Sequence, residues 1–230
     1  MKKHFENSED LCKYISKINN GTCIMSFSGG IDSIAMYYQL EKYFDNIIPI
    51  YLYVVPNLDF VNRYLNYFED KWGRKIIRMP HPRVIMMLRE NVFRTLDLNE
   101  IDDSYWDNYD YTSLCKMASK ALGIGINTMR GIGLKKGDNP SRHMSITKYG
   151  SVNYKTNSFY PIYDWNDAKV KDTIRDNNCK VPVDYKIFGR SYDGLGYRFT
   201  VPVKKYFPND YEKLKGYFDL LDIEIKRYVL

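Results

Sequence analysis

Apolar positions along the first third of the chain alternate between two rhythms. From Ser8 to Ile18, Leu11, Tyr14, Ile15 and Ile18 recur three or four residues apart, the spacing of one helical face. Asn19-Asn20-Gly21 follows, residues that tolerate the left-handed conformation in which helices end. Thr22 to Phe27 is a short apolar run that predicts a buried strand, and Ser28 to Ser33 interrupts it. A helical pattern resumes from Ile34 to Phe44, with Met36, Tyr37, Leu40, Tyr43 and Phe44 facing inward. Ile47 to Val55 is nearly continuously β-branched or aromatic, as in a strand buried on both faces. Asp59 to Trp72 predicts a helix and Arg74 to Met79 a third strand.

This alternation predicts an α/β fold, a parallel twisted sheet flanked by helices. Further helices are expected over Val84 to Asn91, Ser113 to Leu122 and Asp167 to Asn177, a strand over Gly125 to Met129, and a short buried turn at Tyr160 to Tyr163. Tyr105 to Tyr111 and Gly133 to Ser141 read as loops. From Asn209 onward, Tyr211, Leu214, Phe218, Leu221, Ile225 and Tyr228 form a stripe spaced alternately by three and four. It predicts one C-terminal helix packed on the chain's own sheet domain; a dimer helix and a partner dock are the other readings.

The 230 residues suit one domain with a small appendage. A mean hydropathy of −0.48 and the lack of a long uncharged apolar run argue against a membrane span. No apolar stretch follows Lys2-Lys3, so a secretory signal is not expected. Cys12, Cys23, Cys115 and Cys179 lie far apart without a CxxC pair, which argues against a disulfide framework or a zinc site and for a reduced cytoplasm. Thirty-four basic against 28 acidic side chains leave +6. The excess reads as spread along the chain, with small clusters at Lys135-Lys136 and Lys204-Lys205. It suits a phosphate-bearing ligand, a nucleic acid, or an ordinary solvated surface.

The sharpest chemical signal is Ser28-Gly29-Gly30-Ile31-Asp32-Ser33 between a strand and a helix. Its glycines permit a tight turn close to a ligand, and the helix N-terminus behind them favours an anion. Ser28 and Ser33 add hydroxyls, and Asp32 either caps the helix or holds a metal. A Walker A lysine and a complete dinucleotide fingerprint are both missing, and Gly123/Gly125 and Gly131/Gly133 are lone pairs.

This loop resembles the PP-loop of the ATP pyrophosphatase, or adenine nucleotide α-hydrolase-like, superfamily. Three later segments resemble its phosphoadenosine phosphosulfate reductase-like branch: Met129 to Gly133 with Asp138 and Ser141-Arg142, Phe159 to Trp165, and Pro182 through Tyr185 to Gly189-Arg190-Ser191. The resemblance implies a nucleotide-binding domain over residues 1–200 and a helical extension over 201–230. It implies that Ser26, Ser28, Gly29, Gly30, Ile31, Asp32 and Ser33 surround the phosphates, that Tyr53 and Val54 face the adenine, and that Arg130, Gly131 and Arg142 contact phosphate or sulfate. Asp32, Arg130 and Arg142 are then the catalytic candidates, Asp32 as a contact for Mg2+, with ATP as substrate. Lys116 and Lys120, one helical turn apart, either add charge there or lie on a solvated face.

The departures narrow the chemistry. Reductases of this branch use a cysteine in a C-terminal Glu-Cys-Gly motif, and here no cysteine follows Cys179. One cysteine, Cys115, stands where iron–sulfur members carry a pair, so neither an iron–sulfur cluster nor zinc is expected. Cys23 and Cys115 read as inert thiols, and Asp102, Asp103, Asp107 and Asp110 as a solvated loop. The resemblance thus implies cleavage of ATP to AMP and pyrophosphate, adenylating a second substrate. The alternatives are a reductase-like protein with an external thiol, or a non-catalytic nucleotide-binding partner in sulfur transfer or nucleic-acid modification. The implied partners are an adenine nucleotide, a second protein supplying thiol or sulfur, a nucleic acid or a second copy of the chain, and no membrane.

Overall fold

A computed structural model describes residues 5–95 and 109–229. Its α/β framework interleaves α1 (Ser8–Ile18), β1 (Thr22–Phe27), α2 (Ile31–Glu41), β2 (Asn46–Tyr53), α3 (Asp59–Trp72), β3 (Ile77–Pro80), α4 (Pro82–Arg89) and α5 (Tyr111–Ala121). There follow β4 (Arg130–Gly131), a 3-10 turn (Lys136–Asp138), α6 (Pro140–Tyr149), β5 (Val152–Asn153), β6 (Ser158–Phe159) and α7 (Asp167–Asp176), then α8 (Val183–Phe188), α9 (Tyr197–Tyr206), α10 (Pro208–Tyr217) and α11 (Asp222–Val229). The six strands run in the order β3-β2-β1-β4-β6-β5. β1 pairs in parallel with β2 from Thr22↔Asn46 to Phe27↔Tyr51, and with β4 at Ile24↔Arg130 and Met25↔Gly131. β4 and β6 are also parallel, and only β5 turns back antiparallel on β6 among the pairings described. The chain therefore leaves β1 on one side and returns to it on the other. That reversal is a topological switch point, where the loops after neighbouring strands diverge and leave room for a ligand.

The chain divides into two compact units. The first holds residues up to Tyr51, Arg74–Ile77 and Thr112–Val181. Its centre is apolar: Ile24, Met25, Ile34, Met36, Leu40, Phe159 and Val170 are fully buried, and α7 packs along α2. α2 is buried nearly all round, so it has no polar stripe to mark its ends. The pattern placed its start at Ile34, and it starts at Ile31, inside the Ser-Gly-Gly-Ile-Asp-Ser motif. Asp164 accepts the Ser8 backbone N–H at 3.0 Å, and the Trp165 indole N–H donates to Ser8 Oγ at 3.1 Å, so the buried turn before α7 fastens the start of α1.

The second unit comprises Leu52–Gly73, Arg78–Tyr111 and Pro182–Leu230. Phe60 is its hub, stacked on Phe207 at 4.7 Å between ring centres and edge-on to Tyr192 at 5.3 Å. Asp210 accepts the backbone N–H groups of Asp59 and Phe60 at 2.8 and 3.0 Å, supplying from α10 the cap that Leu58 cannot give α3. Residues 201–230, expected as a helical extension, join this unit together with Pro182 onward.

Three expectations are corrected. The C-terminal stripe is two helices, because Phe218 takes a non-helical φ of −135° and ψ of 74°; Tyr211, Leu214, Phe218 and Leu221 are buried, and Ile225 only half so. Gly125 to Met129 is a turn closed by Thr128 N–H to Gly125 C=O, and the strand is Arg130–Gly131. Gly133 to Ser141 is not a plain loop, since it holds the 3-10 turn and the start of α6. Residues 105–108 of the other expected loop, with Asp102, Asp103 and Asp107, lie outside the described residues. Among the described residues no helix is long and apolar enough to cross a membrane.

Candidate functional site

The loop after β1 and the loop after β4 meet at the switch point, both within the first unit. Gly29 has φ +72°, a left-handed backbone that side chains disfavour, and it turns the chain out of β1. Ser33 Oγ reaches back from the first turn of α2, donating to Gly30 C=O at 2.8 Å and accepting the Ser28 N–H at 3.3 Å. Ser28 Oγ accepts the Gly30 N–H at 3.2 Å and lies 3.2 Å from Ser33 Oγ. The hydroxyls expected to face a ligand are thus also the struts of the loop. Gly30 caps α2 without a side-chain hydrogen bond, whereas Asn7, Asn139 and Asn166 each accept a backbone N–H at the start of α1, α6 and α7.

Gly133 brings the β4 loop against this turn. A Cβ on Gly133 would lie 3.3 Å from the Asp32 carbonyl carbon and 3.4 Å from the Ser33 nitrogen, so the closeness depends on glycine. Two residues on, Lys135 buries its side chain to 5% exposure and delivers its ammonium to Asp32. Asp167 Oδ1, at the first residue of α7, is 3.1 Å from Lys135 Nζ, and Asp138 Oδ1 is 3.2 Å away. Asp138 Oδ2 also accepts the Lys135 backbone N–H at 3.1 Å and pairs with the Arg142 guanidinium. Burial opposes the charge on Lys135, but its bonds to Asp32, Asp167 and Asp138 outweigh that and hold its pKa above the ordinary range. Burial likewise pushes the Asp138 carboxyl up, and the Lys135 N–H, Arg142 and the Lys135 ammonium together bring it below the ordinary value.

The structure therefore brings Asp32, Asp138 and Arg142 together, with Asp167 and Lys135 added. Lys135 was missed because beside Lys136 it reads as surface charge. A signal was present in Gly133 before it and Asp138 three residues after it. Asp32 does not fit as a ligand of a resident magnesium, since its carboxylate is in contact with an ammonium. Among the described residues no group of three or more His, Cys, Asp or Glu is arranged to hold a metal ion.

The other expected residues are described each in its own element. Arg130 is buried in β4 opposite Ile24, and its Nη1 is 3.7 Å from Cys115 Sγ. Gly131 is packed against Pro161 and Leu40, and Ser26 and Ile31 flank the loop. Tyr53 and Val54 belong to the second unit. Tyr53 C=O accepts the His81 N–H at 3.0 Å, and buried Val54 lines a small hollow with His81, Val84, Met87 and Asp193. Burial raises the thiol pKa of both Cys12 and Cys23. Cys179 Sγ lies 3.0 Å from Tyr38 Oη.

A family model described as the phosphoadenosine phosphosulfate reductase domain matches residues 22–197. No curated protein matches the chain. Solved structures similar to it include the U34-tRNA thiolase NcsA from Methanococcus maripaludis with its [4Fe-4S] cluster, at 17% identity, 94% of this chain, 79% of that one and a TM-score of 0.47. Phosphoadenylyl-sulfate reductase from Candida auris, as a phosphate complex, is 11% identical over 82% of this chain and 87% of that one, with a TM-score of 0.49. NH3-dependent NAD synthetase from Campylobacter jejuni, with nitrate ion, is 12% identical over 96% and 92%, with a TM-score of 0.44.

Proposed function

Because the chain belongs to the phosphoadenosine phosphosulfate reductase domain family, we propose that the head of α2 binds the phosphates of ATP and that the protein transfers the adenylyl group to a second substrate. The observation that carries this reading is the glycine cap of α2. Gly30 offers α2 no capping side chain of its own, whereas Asn7, Asn139 and Asn166 cap α1, α6 and α7 with an amide oxygen. A phosphate approaches that backbone with no capping side chain of residue 30 in its way, and it carries the negative charge that the helix dipole favours. A bare carboxylate in that first turn would repel phosphate. Lys135 neutralises Asp32, and Arg142 shares Asp138.

In the proposed reaction an acceptor oxygen attacks the α-phosphorus. A new P–O bond forms while the bond from that phosphorus to the bridging oxygen breaks, and the electron pair leaves with pyrophosphate. N–H groups at the head of α2 stabilise the charge that develops on the leaving group, while Lys135 and Arg142 keep the carboxylates of Asp32 and Asp138 from opposing it. Arg130 is proposed as a support beneath the site rather than a phosphate contact, given its burial beside Cys115. Adenylation is favoured over sulfonucleotide reduction because α10 and α11 carry no cysteine and burial suppresses ionisation of Cys12 and Cys23.

Pyrophosphate release from ATP, with and without candidate acceptors, tests the reaction. Calorimetric titration of Gly30→Val with ATP tests the site. Gly30 has φ −75°, which valine tolerates, so the added side chain obstructs the cap rather than the fold. Affinity should fall at least tenfold, about 1.4 kcal/mol. Unchanged affinity in a folded variant refutes the assignment.

A further inference from the structure

Counting along the chain sharpens the expectation of a positive charge spread along it with two small lysine clusters. Residues 112–163 hold eight Lys and Arg against one acid, Asp138, a net of +7 in 52 residues. The other 178 residues sum to −1. The single acid is itself paired with Lys135 and Arg142. This segment forms most of α5, then β4, α6, β5 and β6, all within the first unit.

Most of the segment lies at the surface. α6 buries only Ile146. Lys116, Lys120 and Lys155 are exposed and make no ion pair with a described residue. Tyr149 and Tyr154 stand 58% and 52% exposed, and Lys148 Nζ lies 5.0 Å above the Tyr149 ring. Asn153 Oδ1 accepts the N–H groups of Lys155 and Thr156 at 3.0 and 3.3 Å, shaping a turn with Tyr154 and Lys155 at its tip. Asn157 Nδ2 donates to Asn127 Oδ1 at 3.3 Å, which joins this turn to the loop after α5.

We propose that this surface binds single-stranded nucleic acid. The lysines match a phosphate backbone, whose neutralisation releases counterions and drives association. The interleaved tyrosines offer flat faces on which unpaired bases stack, and a duplex keeps its bases out of their reach. A strongly acidic protein would satisfy the charge but leave the rings without a purpose. A lipid surface would need an apolar helical face, and α6 is polar on almost every side. The surface uses Lys148 and Tyr149 at the end of α6 and Tyr154 and Lys155 at the turn between β5 and β6, none of which belongs to the cluster around Lys135. The proposal therefore stands or falls apart from the ATP reading.

Fluorescence anisotropy of labelled 20-nucleotide single strands, against the matching duplex, tests it. Single strands should bind more tightly than duplex, with affinity falling steeply as salt rises. Lys148→Ala/Lys155→Ala should reduce the salt slope by about 1.4, at roughly 0.7 per lost phosphate contact on a single strand. Each of Tyr149→Ala and Tyr154→Ala should weaken binding about fivefold or more. All four positions are exposed, and unchanged thermal melts and ATP affinity in these variants separate the result from misfolding and from the ATP site. Equal binding of heparin, tighter binding of anionic vesicles, preference for duplex, or affinity that survives all four substitutions would each overturn the proposal.

Discussion

Replacing Lys135 with methionine removes the one charge that three carboxylates share while keeping most of the buried stem. Breaking a fully buried ion pair from one side costs about 3–5 kcal/mol, because the partner charge is stranded. The cost here is smaller. Asp167 is 80% exposed and returns to water, and Asp138 keeps Arg142, which leaves Asp32 as the main stranded charge. Discounting for those exposed partners gives a loss of about 2 kcal/mol, or ~4–8 °C in melting temperature for a chain of this size. Urea denaturation at pH 7 measures it, with an unchanged slope showing that the unfolded ensemble is the same. The pH dependence supplies a second test. The pKa of Asp138 is depressed below its ordinary 3.8, so its contribution is present above that value and disappears as pH falls through the lowered one. The pKa of Lys135 is raised above 10.5, so its contribution is complete below that value and is lost as pH rises through the raised one. Wild type and variant should therefore differ by a constant amount between about pH 5 and 9 and converge under acid, where neutral carboxylates no longer need the ammonium. A loss below ~0.5 kcal/mol at pH 7 would refute the reasoning, since it would mean that the cluster behaves as surface charge.

Two further outcomes are expected. Leu221, fully buried at the break between α10 and α11, should not accept a carboxylate: Leu221→Asp should cost on the order of 3 kcal/mol and lower the melting temperature by roughly 6–12 °C in a thermal circular dichroism scan. An unchanged melt would mean that the stripe is not buried. Sulfite release from phosphoadenosine phosphosulfate with thioredoxin as donor should be absent; release abolished by Cys179→Ser alone would locate a nucleophile beside Tyr38.

What was legible depended on which force positions each element. α1, β1 and α3 match their expected bounds because a buried face writes its period into the sequence. α6 has no such face, since Ile146 is its only buried residue, and its signal was the Asn139 cap followed by proline. The strand expected at Gly125 to Met129 was misplaced because β4 is defined by its partners, β1 and β6, rather than by its own two residues. The C-terminal stripe kept a helical rhythm across Phe218 although the backbone breaks there. At the site, the loop after β1 was legible because glycine and serine must occupy fixed positions in it. Lys135 was not, because its partners Asp32 and Asp167 are 103 and 32 residues away in sequence and only the fold brings them together.

The turn that fastens α1 has an optical consequence. Trp165 is 4% exposed, bonded through its indole to Ser8, and lies under the Lys169 ammonium at 4.4 Å from the ring centre. It stands one residue after the carboxylate that holds α1 and two before the one that reaches Lys135. Indole emission responds to the field of a nearby charge and to water. A change that loosened α1 or drew Asp167 from the cluster would therefore alter the fluorescence of the native chain, and ligand titrations at the head of α2 could be followed without a label.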